Sequence, residues 1–155
     1  MFDGTYHRAR FQLLDSCRVA TGVVREVKPE EDGDLHIQLE LDPGQEDLMN
    51  AQNIAKQRGR LVLELIPRDA GHIPKPSCGW RVRVVGAWVE DGKKPSHGWN
   101  ELHPIWKLTH SGKTFVSGLQ FGGDPDGARS SDAKARCRTE AGVRCPGYLP
   151  GSCGV

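Results

Sequence analysis

Two histidines and two glutamates sit where strand alternation can gather them. His36 lies within Leu35-His36-Ile37-Gln38-Leu39-Glu40-Leu41, Glu64 within residues 61–66, and Glu101 and His103 within Trp99-Asn100-Glu101-Leu102-His103-Pro104. Two imidazoles and two carboxylates within side-chain reach are a donor set for a divalent metal. They are equally an acid–base set working near the histidine switching pH. The competing reading is structural. Polar residues alternate outward on any solvated strand, and cross-strand His–Glu pairs stabilise by a few tenths to about 1 kcal/mol with no activity attached. The weight falls on that second reading, because the chain contains no H-E-x-x-H, paired C-x-x-C, Gly-rich phosphate loop or nucleophile elbow. Asp32-Gly33-Asp34 has the beginning of a calcium loop but lacks the later oxygen ligands and closing glutamate, and is better explained as a turn.

A second set could bind rather than react. Trp80 and Trp99 fall at strand starts and are candidates for a binding rim, while Trp88 and Trp106 count by twos with the apolar positions and are expected in the core. Arg81 and Arg83 face away from Val82 and Val84, where they could meet phosphate or carboxylate, or form a solvated face. Of the five cysteines, Cys17 and Cys78 could form one disulfide in an oxidising compartment. Cys137, Cys145 and Cys153 recur at an interval that fits no common zinc spacing.

These residues must be positioned by short strands. The chain has 155 residues with 19 Gly and 10 Pro, which favours turns over long helices. Strands are expected over 18–27, 35–41, 61–66, 80–89 and 99–109, joined by a hairpin loop at 28–34, a short helix or irregular connection around 48–56, and a second hairpin loop at 91–98. Gly22 marks a bulge or sharp bend, and Pro104 a bend or an edge position. The resulting fold class is all-β: a small five-stranded OB-like Greek-key barrel, with strand three paired to both strand two and strand five, and with an open sandwich of the same strands as the alternative. That pairing places His36, Glu64, Glu101 and His103 on one outer surface.

Alternation stops before Gly122-Gly123-Asp124-Pro125-Asp126-Gly127. Residues 1–121 are therefore read as the folded domain and 122–155 as a poorly ordered Cys- and Arg-containing tail. Twenty-one basic residues against 20 acidic give a net charge of +1, which excludes a strongly polyanion-seeking chain. No apolar run is long enough to span a membrane. Residues 1–10 lack the apolar stretch of a secretory signal, so a cytoplasmic location is the default expectation.

The landmarks Cys17…Thr21-Gly22-Val23, Asp32-Gly33-Asp34-Leu35-His36 and Gly98-Trp99-Asn100-Glu101-Leu102-His103-Pro104 resemble those of a group of uncharacterised bacterial and archaeal proteins, over residues 14–108. The resemblance implies an OB-like barrel and supplies no activity. Many proteins of that group look exported and carry a second cysteine before strand four, whereas Cys78 here sits unusually close to that strand.

The functional expectation is a non-catalytic binding module with an unidentified ligand or protein partner and no cofactor. One alternative is a metal-dependent hydrolase built on His36, Glu64, Glu101 and His103. The other is a single-stranded nucleic-acid binder using Trp80, Arg81, Arg83 and Trp99, disfavoured by the balanced charge.

Overall fold

The computed structural model describes residues 8–92 and 97–117. Its strands are β1 (Phe11–Pro29), β2 (Leu35–Leu41), β3 (Leu61–Leu65), β4 (Arg81–Asp91), β5 (Asn100–His110) and β6 (Lys113–Val116), with one short helix, α1 (Ala51–Lys56), between β2 and β3. All belong to the compact unit Phe2–Gly118. The expected tail, 122–155, lies outside the described residues, as do Cys137, Cys145 and Cys153.

Five strands close a ring. The sheet runs β3-β2-β1-β4-β5-β6, and β3 also pairs with β5. That closing contact is parallel, Val62 opposite Glu101 and Leu63 opposite Leu102, and the other pairings are antiparallel. The all-β class and the pairing of strand three with strands two and five thus stand as expected. Inside the ring, Val24, Ile37, Leu39, Leu61, Leu63, Val84 and Leu102 are among the residues forming the apolar core.

Three departures have local causes. β1 begins at Phe11, seven residues before the expected start, and its register against β4 shifts between Leu13 and Asp15 and again between Asp15 and Arg18. Each shift resets the two-residue period, so the sequence shows no alternation there. Gly22 is not bulged: it pairs on both sides, and a side chain there would meet the Glu40 carbonyl oxygen at 2.1 Å. It is glycine because two backbones approach closely. Pro104 sits at neither an edge nor a strand end. It falls inside β5, where the ladder to β4 shifts between Gly86 and Trp88, and a side chain at Gly86 would meet the Pro104 carbonyl oxygen at 2.7 Å. The resulting irregularity puts Leu102, Ile105 and Leu108 in the core. Trp106 is buried outside that apolar cluster, whereas Trp88 packs against it.

Helix α1 has only six residues, too short to hold itself together in water, and side chains fix it. Asn50 caps it by accepting from the backbone of Gln52 and Asn53. Buried Asn53 then accepts from the Asn100 backbone at 2.8 Å and donates to the Asn100 carbonyl at 2.9 Å. The helix is thereby tied to the start of β5, against the outside of the ring.

Candidate functional site

The four acid–base residues do come together. His36 stands directly opposite Glu64 across the β2–β3 pair, and the β3–β5 contact places Glu101 opposite Val62, two residues from Glu64. They do not lie on an outer surface, as alternation alone suggests. His103 is 0% exposed, Glu101 1%, Glu64 6% and His36 9%. The outer face of β2, β3 and β5 is covered by the protein itself. From the end of α1, Gln57 reaches His36 Nε2 at 3.3 Å and accepts from Gln38 at 2.9 Å. Phe11, at the start of β1, lies against the His103 ring, with centroids 4.5 Å apart. Trp99 sits between His36 and His97, at 6.3 and 4.4 Å.

Within this layer most polar atoms pair off, while His103 Nε2, Asp34 Oδ2 and Glu64 Oε2 are buried without a hydrogen-bond partner. His36 Nδ1 is 2.8 Å from Glu64 Oε1, and His103 Nδ1 is 3.0 Å from Glu101 Oε1. Trp99 donates its indole N–H to Glu101 Oε2 at 2.9 Å. Asp34, the last residue of the Asp-Gly-Asp turn, is also buried, with Oδ2 3.8 Å from His103 Nε2, an electrostatic rather than a hydrogen-bonding distance. A satellite pair adjoins: buried Asp91 meets His97 Nδ1 at 2.8 Å and Arg10 Nε at 3.4 Å.

Burial and partners set opposite titration directions on the two glutamates. Desolvation pushes Glu64 up to about 7, against the pull of His36 and with the help of the Glu101 charge. Burial alone would raise Glu101 too, but the hydrogen bond and charge of His103, with the Trp99 N–H, hold it below the ordinary value. Burial opposes charge on both imidazoles as well, yet Glu64 raises His36 and Glu101 raises His103. Desolvation lifts Asp34 to about 6 and also raises Asp91. The layer is a set of buried ion pairs in which one carboxylate, Glu101, is firmly ionised.

A metal-ligand set does not fit this geometry. Both Nδ1 atoms face carboxylates, His36 Nε2 faces Gln57, and His103 Nε2, which has no hydrogen-bond partner, faces Asp34 Oδ2 at 3.8 Å, so the donors do not share a common centre. Among the described residues no three His, Cys, Asp or Glu side chains are arranged to hold a metal ion.

The other candidates divide. Trp99 is buried and unavailable as a rim. Trp80 is half-buried and stacks on His110, centroids 4.0 Å apart and planes within 3°. Arg81 and Arg83 are both exposed on β4, Arg81 held by Asp42 at 2.6 Å. The Cys17–Cys78 bridge is not formed: Cys78 is a free, exposed thiol, and Cys17 is disulfide-bonded elsewhere. Gln57 and Asp34 also belong to the layer, and Asp91 and His97 adjoin it. Asp34 reads as a turn residue and Gln57 as one polar position in a short helix, so neither carries a signal without the fold.

Compared with protein-family models, curated proteins and solved structures, the chain matches none. No helix among the described residues is long and apolar enough to cross a membrane.

Proposed function

We propose that the chain is a non-catalytic binding module of the OB type. The observation that carries this reading is the closure of the His36–Glu64–Glu101–His103 layer beneath α1, Phe11 and Trp99. An acid or base must lie within hydrogen-bond reach of the proton it moves, and a group sealed under its own protein has no such reach to a ligand in solvent. Support for the OB type comes from the ring order and from the resemblance over residues 14–108. The residues left on the surface with binding chemistry lie on β4 and its neighbours.

Elemental analysis of the purified chain is expected to find no stoichiometric divalent metal, and a chelator is expected to leave the unfolding midpoint unchanged. One metal ion per chain, with a lower midpoint after chelation, would overturn this reading in favour of the metal-dependent hydrolase.

A further inference from the structure

On the opposite side of the ring, β1, β4, β5 and β6 form a continuous antiparallel face, and cross-strand pairing lines up its outward residues. Thr21, Arg83, Thr109 and Thr114 make one row. Val19, Val85, Lys107 and Val116 make the next. Residues alternating with these, Val82, Val84 and Leu108, belong to the core, which fixes the outward direction of both rows.

Two cations occupy adjacent rows on neighbouring strands without an acidic partner. Arg83 is exposed, and Lys107 is 4% exposed with its stem covered, but its ammonium nitrogen, unlike His103 Nε2 and Glu64 Oε2 in the histidine–glutamate layer, is not a buried unpartnered atom. Neither makes an ion pair or a side-chain hydrogen bond among the described residues, in contrast to Arg18, Arg25 and Arg81, whose guanidinium groups meet Asp47, Glu40 and Asp42. Burial and the nearby Arg83 charge both lower the Lys107 pKa. The two like charges sit on diagonal positions of neighbouring strands, and a bridging anion would relieve their repulsion. Beside them, the Thr109 and Thr114 hydroxyls are 3.0 Å apart. One donates to the other, and the accepting hydroxyl keeps its own hydrogen for a further acceptor.

Resting on the binding-module reading, we infer that Arg83 and Lys107, with the Thr109–Thr114 hydroxyl pair, form a binding site for a phosphate-class oxyanion. A tetrahedral oxyanion accepts from a guanidinium, an ammonium and a hydroxyl at once, and hydrogen bonds to charged groups are roughly twice as strong as neutral ones. Such a group comes either as free phosphate or as the phosphodiester of a single strand laid across the sheet. Both present the same oxygens.

The experiment is a titration of the isotope-labelled full chain with inorganic phosphate at constant ionic strength, followed by amide NMR, with a parallel titration of fluorescein-labelled oligo(dT). Saturable shifts at Arg83, Lys107 and Thr109 are expected. Arg83→Gln and Lys107→Met should each weaken binding about tenfold or more, the loss of one charge-assisted contact, and Arg81→Gln should leave it within about twofold. Thr114→Glu, which places a carboxylate in the Arg83 row without touching either cation, should abolish it. Saturation by phosphate alone identifies a free-anion site. Tight oligo(dT) binding with weak phosphate binding identifies a strand, and either supports the site. No saturable response to either probe, or binding untouched by Arg83→Gln, would overturn it. Binding of poly-glutamate with no response to either phosphate probe would also overturn it, in favour of an acidic protein partner. These failures leave the module reading standing, since that reading fails on bound metal.

Discussion

Replacing His103 by leucine is expected to remove about 3–5 kcal/mol of stability, because it leaves the Glu101 carboxylate buried and ionised without its cationic partner. Glu101 is 1% exposed and retains the Trp99 N–H as its hydrogen bond and the weaker pull of the Arg10 charge, while Asp34 and Glu64 add negative charge nearby. The loss is not the worth of the contact alone. Removing both charges together, in His103→Leu with Glu101→Gln, should recover a substantial part of it, since a buried pair roughly balances its own desolvation. Denaturant unfolding of the two single variants and the double variant yields the coupling directly. Additive losses would mean that the two side chains do not interact as the geometry requires.

Ile37→Asp is expected to leave no folded population. Ile37 is fully buried in the ring interior. A carboxylate there loses the apolar burial and gains a desolvation cost of several kcal/mol, against a total stability for a domain of about 5–15 kcal/mol. Three residues along the same strand, Glu40 is exposed and pairs with Arg25 at 2.8 and 2.9 Å. Its replacement by alanine should leave the denaturant midpoint close to the wild-type value, because exposed ion pairs contribute little. Circular dichroism with denaturant midpoints separates the two. A cooperative transition in Ile37→Asp near the wild-type midpoint would place the β2 register one residue out.

The contrast between Ile37 and its neighbours shows what period-2 alternation does and does not encode. The β2 pattern identifies its strand and its inward set without error, because a one-residue slip would turn Ile37 and Leu39 out of the core. Alternation says only that His36, Gln38 and Glu64 face the other way. Whether that side meets water depends on elements from elsewhere in the chain. Gln38 is 5% exposed because Gln57 and Arg60 cover it, and its polar character gives no hint of that. Local interruptions are illegible for the same reason. The shifts in β1 and around Pro104 are set by pairing with β4, which is remote in sequence. β6 is four residues long, only one of which, Phe115, packs against the core, so it offers too little pattern to register. The Arg83–Lys107 pair is visible only after the register brings two strands together, 24 residues apart in sequence.

We propose that the histidine–glutamate layer is a sealed set of ion pairs and not a metal or catalytic centre. The stability of the full chain as a function of pH tests it most directly, because the two accounts predict opposite signs. His36 and His103 have raised folded pKa values. Their contribution is complete below the unfolded value near 6.5 and disappears as pH rises through the folded ones. Asp34 and Glu64 are raised to about 6 and about 7, so their ionisation on the same ascent opposes folding. The lowered Glu101 acts only on the acid side, where its contribution is lost as pH falls. Unfolding free energy should therefore fall, by on the order of 2–4 kcal/mol, as pH rises from about 4, where the unfolded carboxyls begin to ionise, to above about 7, where the folded ones have done so. A metal centre needs neutral imidazoles and ionised carboxylates and would gain stability over the same interval. A rise in unfolding free energy across that window, abolished by a chelator, would contradict the account.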